Sequence, residues 1–185
     1  ITMVKLSILT ISDIVDSIKK SYDVRNLKEL CRDLSIILMY SGMGKTENAC
    51  KGFFLIHSKI KTITINTDLP ELIQNIVLAH ELGHAILHKN ATSHLFHEFQ
   101  LFDEVSTLEY EANIFAAEML LDDDVVLEYL NENYSFFQVA SKLNVPVELL
   151  DFKFKILKQK GYKLVSPINT KNTFLKRDLG GGYYE

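Results

Sequence analysis

The chain has 185 residues and a formal net charge of −4; 47% of its residues are hydrophobic and 24% charged. Such a composition is that of a globular chain long enough to bury a sizeable core, and its acidic balance argues against wholesale nucleic-acid binding. No apolar stretch reaches the roughly 18 uninterrupted residues of a membrane span. No small-residue cleavage site follows the mildly apolar "ITMVKLSILTISD", so neither an anchor nor a signal peptide is expected.

In chain order, Ile11, Ile14, Val15 and Ile18 recur at helical spacing over residues 10–20, with Ser12 or Asp13 as the expected cap. Residues 26–34 read as a second short helix. The apolar, partly β-branched "SIILMY" (35–40) reads as a strand, and "SGMGKTENACKG" (41–52) as a loop. Cys31 and Cys50, at no recognisable spacing, are expected to be free thiols in a reducing cytoplasm. "GFFLIHS" and "KTITIN" form an expected hairpin; in the second, Ile63 and Ile65 point to one face and Thr62 and Thr64 to the other. Pro70 suits the first turn of a helix running from Glu71 to about His88, apolar nearly all round and therefore central. Residues 89–102 are loop-like. A helix is expected from about Asp103 to Leu120, then a short one through Leu130 capped by Asp122 or Asp123. A helix pair follows around "NVP", over 135–143 and 147–161.

The outline is α+β: a small antiparallel sheet with helices around it. Three segments are expected: a main domain over 1–131, a helical appendage over 132–163 with a helix-turn-helix outline, and a tail over 164–185 that reads as loop or disordered.

"IVLAHELGHAILHKN" (76–90) carries the chemistry. His80 and His84 are one helical turn apart, so both rings leave one face and can grip one ion. Glu81 is rotated by about 100°, too far to join the same ligand set but placed to reach a water beside it. This is the His-Glu-x-x-His pattern of zinc peptidases. Zinc takes neutral imidazole and carboxylate oxygen in a tetrahedral site with an open position, and it lowers the pKa of water there toward about 7. A neighbouring carboxylate can take that proton and deliver it to the leaving amine. An ordinary buried helix would pair its histidines with backbone carbonyls, but the spacing and the apolar setting favour the metal. Gly83 costs the helix about 1 kcal/mol relative to alanine, so a close approach by a strand or by substrate is expected there.

Two histidines leave the set one ligand short. His88 lies a further turn on, and three ligands in a row would span about 11 Å, too far for one ion with bonds near 2 Å. His88 therefore reads as a structural or supporting residue. The longer pattern ending in a third histidine fails, with Leu87 in place of its Gly and Asn90 in place of its His. His94, His97, Asp103, Glu104, Glu109 and Glu111 remain candidates. Periodicity does not choose, because Glu109 and Glu111 flank the apolar stripe on opposite edges.

"KGFFLIHSKIKTITINTDLPELIQNIVLAHELGHAILH" and "EYEANIFAAEMLL" resemble, in order and at a fitting distance, the two signature blocks of the ImmA/IrrE family of zinc metallopeptidases. "YDVRNLKELCRDLSIILMY" is similar to that family's lead-in and "FFQVASKLNVPVELLDFKFKIL" to its trailing helical segment, so about residues 10–162 are covered. The resemblance implies a zincin-like fold and a Zn2+ site made by His80, His84 and Glu111, the Glu directly before Ala112-Asn113, with Glu81 as catalytic base. It further implies a cytoplasmic enzyme that cleaves a helix-turn-helix repressor, often encoded beside it on a prophage or mobile element. Substrate identity and oligomeric state are not implied.

Two other readings compete. "SGMGKT" contains Gly-Lys-Thr, but a phosphate loop needs a glycine where Met39 stands and a following helix where a strand is expected. The segment after "NVP" carries Lys153, Lys155, Lys158 and Lys160, which makes a zinc-containing DNA-binding regulator or sensor the alternative from another class. Phe152, Phe154, Ile156 and Leu157 make that helix strongly apolar, so packing on the main domain or docking of a protein substrate is favoured over DNA.

Overall fold

The computed structural model describes residues 5–46, 49–88 and 107–168. The expected loop over 89–102, the start of the following helix, the candidates His94, His97, Asp103 and Glu104, and the tail from 169 onward lie outside the described residues.

Helix α1 (Ile8–Ser21) opens the fold. Its cap is Ser7, whose hydroxyl accepts from the Thr10 N–H at 3.0 Å, five residues before Ser12 and six before Asp13. Ser12 instead lies inside the protein and donates to Glu118 Oε1 at 2.5 Å. Helix α2 (Leu27–Asp33), capped by Asn26, leads into strand β1 (Ile36–Ser41).

Strands β2 (Gly52–His57) and β3 (Ile60–Asn66) form the expected hairpin, closed by Ser58 and Lys59. Both turn residues have positive φ, +50° and +68°, as a two-residue turn matched to the sheet twist requires. The sheet order is β1-β3-β2. It is mixed rather than wholly antiparallel, since β1 runs parallel to β3 with Ile36 opposite Lys61. The reason is topological: the loop after Ser41 carries the chain past β3 to the far edge, and only the hairpin is tied by a tight turn. Asn66 anchors that loop, accepting from the Met43 N–H at 3.0 Å and donating to the Gly44 and Cys50 carbonyls at 2.8 Å each.

Helix α3 (Glu71–Leu87) lies on the inner face of the sheet, with an unbroken buried run from Ile76 to Ala85. Helix α4 (Thr107–Leu120) packs against it, followed by α5 (Asp123–Asn131), α6 (Phe136–Lys142) and α7 (Val147–Gln159). A Cβ on Gly83 would meet Ala112 Cα at 3.1 Å and Phe115 Cβ at 3.2 Å. The close approach that this glycine permits is thus made by helix α4.

Phe152, Phe154, Ile156 and Leu157 of α7 join the same buried cluster as Ile11, Ile73 and Phe115. The α7 lysines are largely committed within the protein. Lys153 is 1% exposed and pairs with Glu118 and Asp123; Lys160 reaches the same two carboxylates at 2.6 Å each. Lys155 pairs with Asp151 at 3.1 Å. A helix that reads DNA must present a side to the groove, and α7 keeps only Lys158 and Gln159 fully exposed. Cys31 and Cys50 are free thiols, Cys31 buried. Among the described residues no helix is long and apolar enough to cross a membrane.

Candidate metal centre

The two central helices meet in register. His80 and His84 on α3 face Glu109 and Asn113 on α4, each pair four residues apart and so on one face of its helix. His80 Nε2 and His84 Nε2 lie 3.1 Å apart, and the Glu109 carboxylate approaches them at 3.2 Å and 3.4 Å. These are the donors that converge among the described residues. Ligand atoms around a tetrahedral zinc with bonds of about 2.0–2.2 Å are themselves separated by about 3.3–3.6 Å, so the spacing comes within a few tenths of an ångström of what the ion needs.

The surrounding hydrogen bonds set the ring tautomers. His80 Nδ1 lies 2.9 Å from Asn113 Oδ1, an acceptor, so that nitrogen carries the hydrogen and Nε2 offers a lone pair. His84 Nδ1 faces His88 Nδ1 at 3.0 Å, and His88 Nε2 faces Glu111 Oε2 at 3.1 Å. The Glu111 carboxylate requires a donor from His88 Nε2, which leaves His88 Nδ1 to accept from His84 Nδ1–H. Two imidazole lone pairs and a carboxylate then converge on one point. Burial pushes the His84 imidazole down to about 4, so it is neutral near pH 7, the form that binds metal. Such a set of acceptors repels itself unless a cation lies among them.

The structure therefore brings Glu109, and not Glu111, to the histidine pair. Glu111 is 2% exposed and is engaged elsewhere, accepting from the Leu6 N–H at 2.7 Å and from His88. The cause is helix phase: two positions along α4 turn a side chain by about 200°. The signal available in the sequence was the Glu109/Asn113 pair, which repeats on α4 the four-residue spacing of the histidines on α3. Glu81 is buried at 5% exposure beside His80. His88 is the C-cap of α3 and lies behind the site, in the supporting position expected of it.

Comparison with known proteins now bears on this geometry. The peptidase family described as the IrrE N-terminal-like domain matches residues 31–155, which include both helices of the site. The chain belongs to the ImmA/IrrE family. One relative, an uncharacterized immunity region protein 2 of Bacillus phage phi105, is 34% identical over 139 residues, covering 75% of this chain and 85% of its own. A second, metallopeptidase ImmA of Bacillus subtilis, is 31% identical over 148 residues, covering 75% of this chain and 80% of its own. Membership of this family implies a metal, and the His80–His84–Glu109 set is where the residues suit one.

Proposed function

We propose that the protein is a zinc-dependent endopeptidase acting in the cytoplasm, with His80, His84 and Glu109 as metal ligands and Glu81 as general base. The observation that carries this reading is the convergence of two imidazole nitrogens and a carboxylate at 3.1–3.4 Å. A zinc ion held there would supply Lewis acidity, acidifying water and polarising the scissile carbonyl. Glu81 takes a proton from the attacking water and passes it to the departing amine. Asn113 and His88 hold the two imidazoles in the tautomer that presents Nε2.

The substrate in this reading is a helix-turn-helix repressor, as the family resemblance implies. The similarity to a phage immunity-region protein and to metallopeptidase ImmA supports it. In this reading residues 1–131 carry the catalysis and residues 132–163 are a helical appendage. Glu81→Gln preserves shape while removing the base, so it should keep zinc yet lose cleavage by at least about 100-fold. Co-incubation of zinc-loaded protein with the repressor encoded beside it, followed by intact-mass analysis, measures this. Cleavage by Glu81→Gln at the wild-type rate would refute the assignment.

A further inference from the structure

Behind the metal centre runs a chain of hydrogen bonds that the peptidase reaction does not itself require. It begins at the backbone N–H of Leu6, just before the cap of α1, which donates to Glu111 Oε1 at 2.7 Å. The other Glu111 oxygen accepts from His88 Nε2 at 3.1 Å, and His88 Nδ1 lies 3.0 Å from His84 Nδ1. Three segments distant in sequence are joined: the residues preceding α1, the first turns of α4 and the C-terminus of α3. Glu111 and His88 are both buried, at 2% and 4% exposure, so water competes little for these contacts.

We propose that Glu111 and His88, anchored by the Leu6 N–H, are positioning residues that lock His84 in its Nδ1–H tautomer and aim Nε2 at the metal. This rests on the reading of His84 as a ligand. The lock follows from hydrogen-bond polarity. With both Glu111 oxygens acting as acceptors, His88 donates from Nε2 and accepts at Nδ1, and His84 donates from Nδ1. Both Glu111 oxygens are engaged, so Glu111 cannot turn toward the metal without giving up two hydrogen bonds. The two ligand histidines are thereby held differently, His80 by the neutral amide of Asn113 and His84 by a relay ending in a carboxylate. Such outer partners fix ring orientation and raise ligand basicity, and their loss typically weakens metal binding by about 10–100-fold.

Substitutions at the two ends of the relay separate orientation from mere packing. Glu111→Gln is nearly isosteric, but an amide cannot accept from both Leu6 and His88. One of its two contacts must set donor against donor, or His88 and then His84 must reverse tautomer. His88→Ala deletes the acceptor, and His88→Asn restores an oxygen near the Nδ1 position. Zinc affinity is measured on the full chain by competition with a chromophoric chelator. The His84 tautomer is read in zinc-free protein from long-range proton–nitrogen correlations of the imidazoles. The expected result is binding weakened about 10–100-fold in Glu111→Gln and His88→Ala. His84 should be Nδ1–H in the wild type, of mixed tautomer in those two variants, and Nδ1–H again in His88→Asn. Wild-type affinity in both variants, or a wild-type His84 carrying its hydrogen on Nε2, would overturn the proposal. Absence of zinc binding by the wild type, or full affinity in Glu109→Gln, would instead refute the metal-site reading; the tautomer measurement needs no zinc and still judges the relay.

Discussion

Glu109 and Glu111 differ by two positions and have the same side chain, yet they meet different groups along α3. Glu109 meets both imidazoles at 3.2–3.4 Å, whereas Glu111 is 3.1 Å from His88 and 2.7 Å from the Leu6 nitrogen. Their substitution should therefore have different effects on metal binding. Glu109→Gln removes the one negative ligand and should weaken zinc binding well beyond the about 10–100-fold expected of residues that only orient a ligand. Chelator competition checks this, and equal losses for Glu109→Gln and Glu111→Gln would count against the division of roles. The convergence of His80 and His84 was legible in the sequence because their relation is internal to one helix and follows from 3.6 residues per turn. The carboxylate that meets them was not, because the rotation of α4 about its own axis is set by what packs around it. "EYEAN" offers two carboxylates, and only contact with α3 chooses between them.

Among elements, α3 and α4 form the pair on which the site depends, and Gly83 sets their separation. Alanine there gains about 1 kcal/mol of helix propensity, but its methyl would press on the Ala112 backbone at 3.1 Å and 3.3 Å. Overpacking of this kind costs about 1–3 kcal/mol, and here it acts against a rigid helix rather than a flexible side chain. Gly83→Ala should thus lower the melting temperature by a few degrees and weaken zinc binding, as α4 carries Glu109 away from the histidines. Calorimetry with and without zinc tests both, and an unchanged or raised melting temperature would show that the helices separate without cost. Element identities were readable from periodicity and turn residues. Strand pairing was less so: "SIILMY" announces a strand but carries no mark of a parallel partner 25 positions away, since side-chain alternation is the same in either orientation.

At the scale of the molecule, the C-terminal helices are tied to the centre by a buried group of charges. Glu118 at the end of α4 is bound by Lys153 and Lys160 of α7 and by Ser12 of α1, and Asp123 shares both lysines. The sequence showed these lysines as a run suited to solvent or nucleic acid; their carboxylate partners lie 30 or more residues upstream and could not be paired without the fold. Burial raises the Glu118 carboxyl, but Lys153 and Lys160 outweigh it, and the net shift is downward from 4.5. A lowered carboxyl stabilises the fold fully above its unfolded value and loses that contribution as pH falls through its folded value. Glu118→Gln leaves the buried Lys153 ammonium with Asp123 as its remaining carboxylate and should destabilise the protein by about 1–3 kcal/mol near neutral pH. The deficit should shrink as pH falls below about 4.5, where the carboxyl of the unfolded chain takes up a proton, and vanish as pH passes through the lower folded value. Urea unfolding of both proteins across that range measures the difference; a deficit that grew on acidification would contradict the assignment.

The central claim concerns which side chains hold the ion. A crystal structure of the zinc-loaded protein, with diffraction recorded on either side of the zinc absorption edge, tests it most directly. A single anomalous peak about 2.0–2.2 Å from His80 Nε2, His84 Nε2 and a Glu109 oxygen is predicted, with Glu111 still on His88. A peak ligated by Glu111 in place of Glu109, or no peak with zinc in excess, would contradict it.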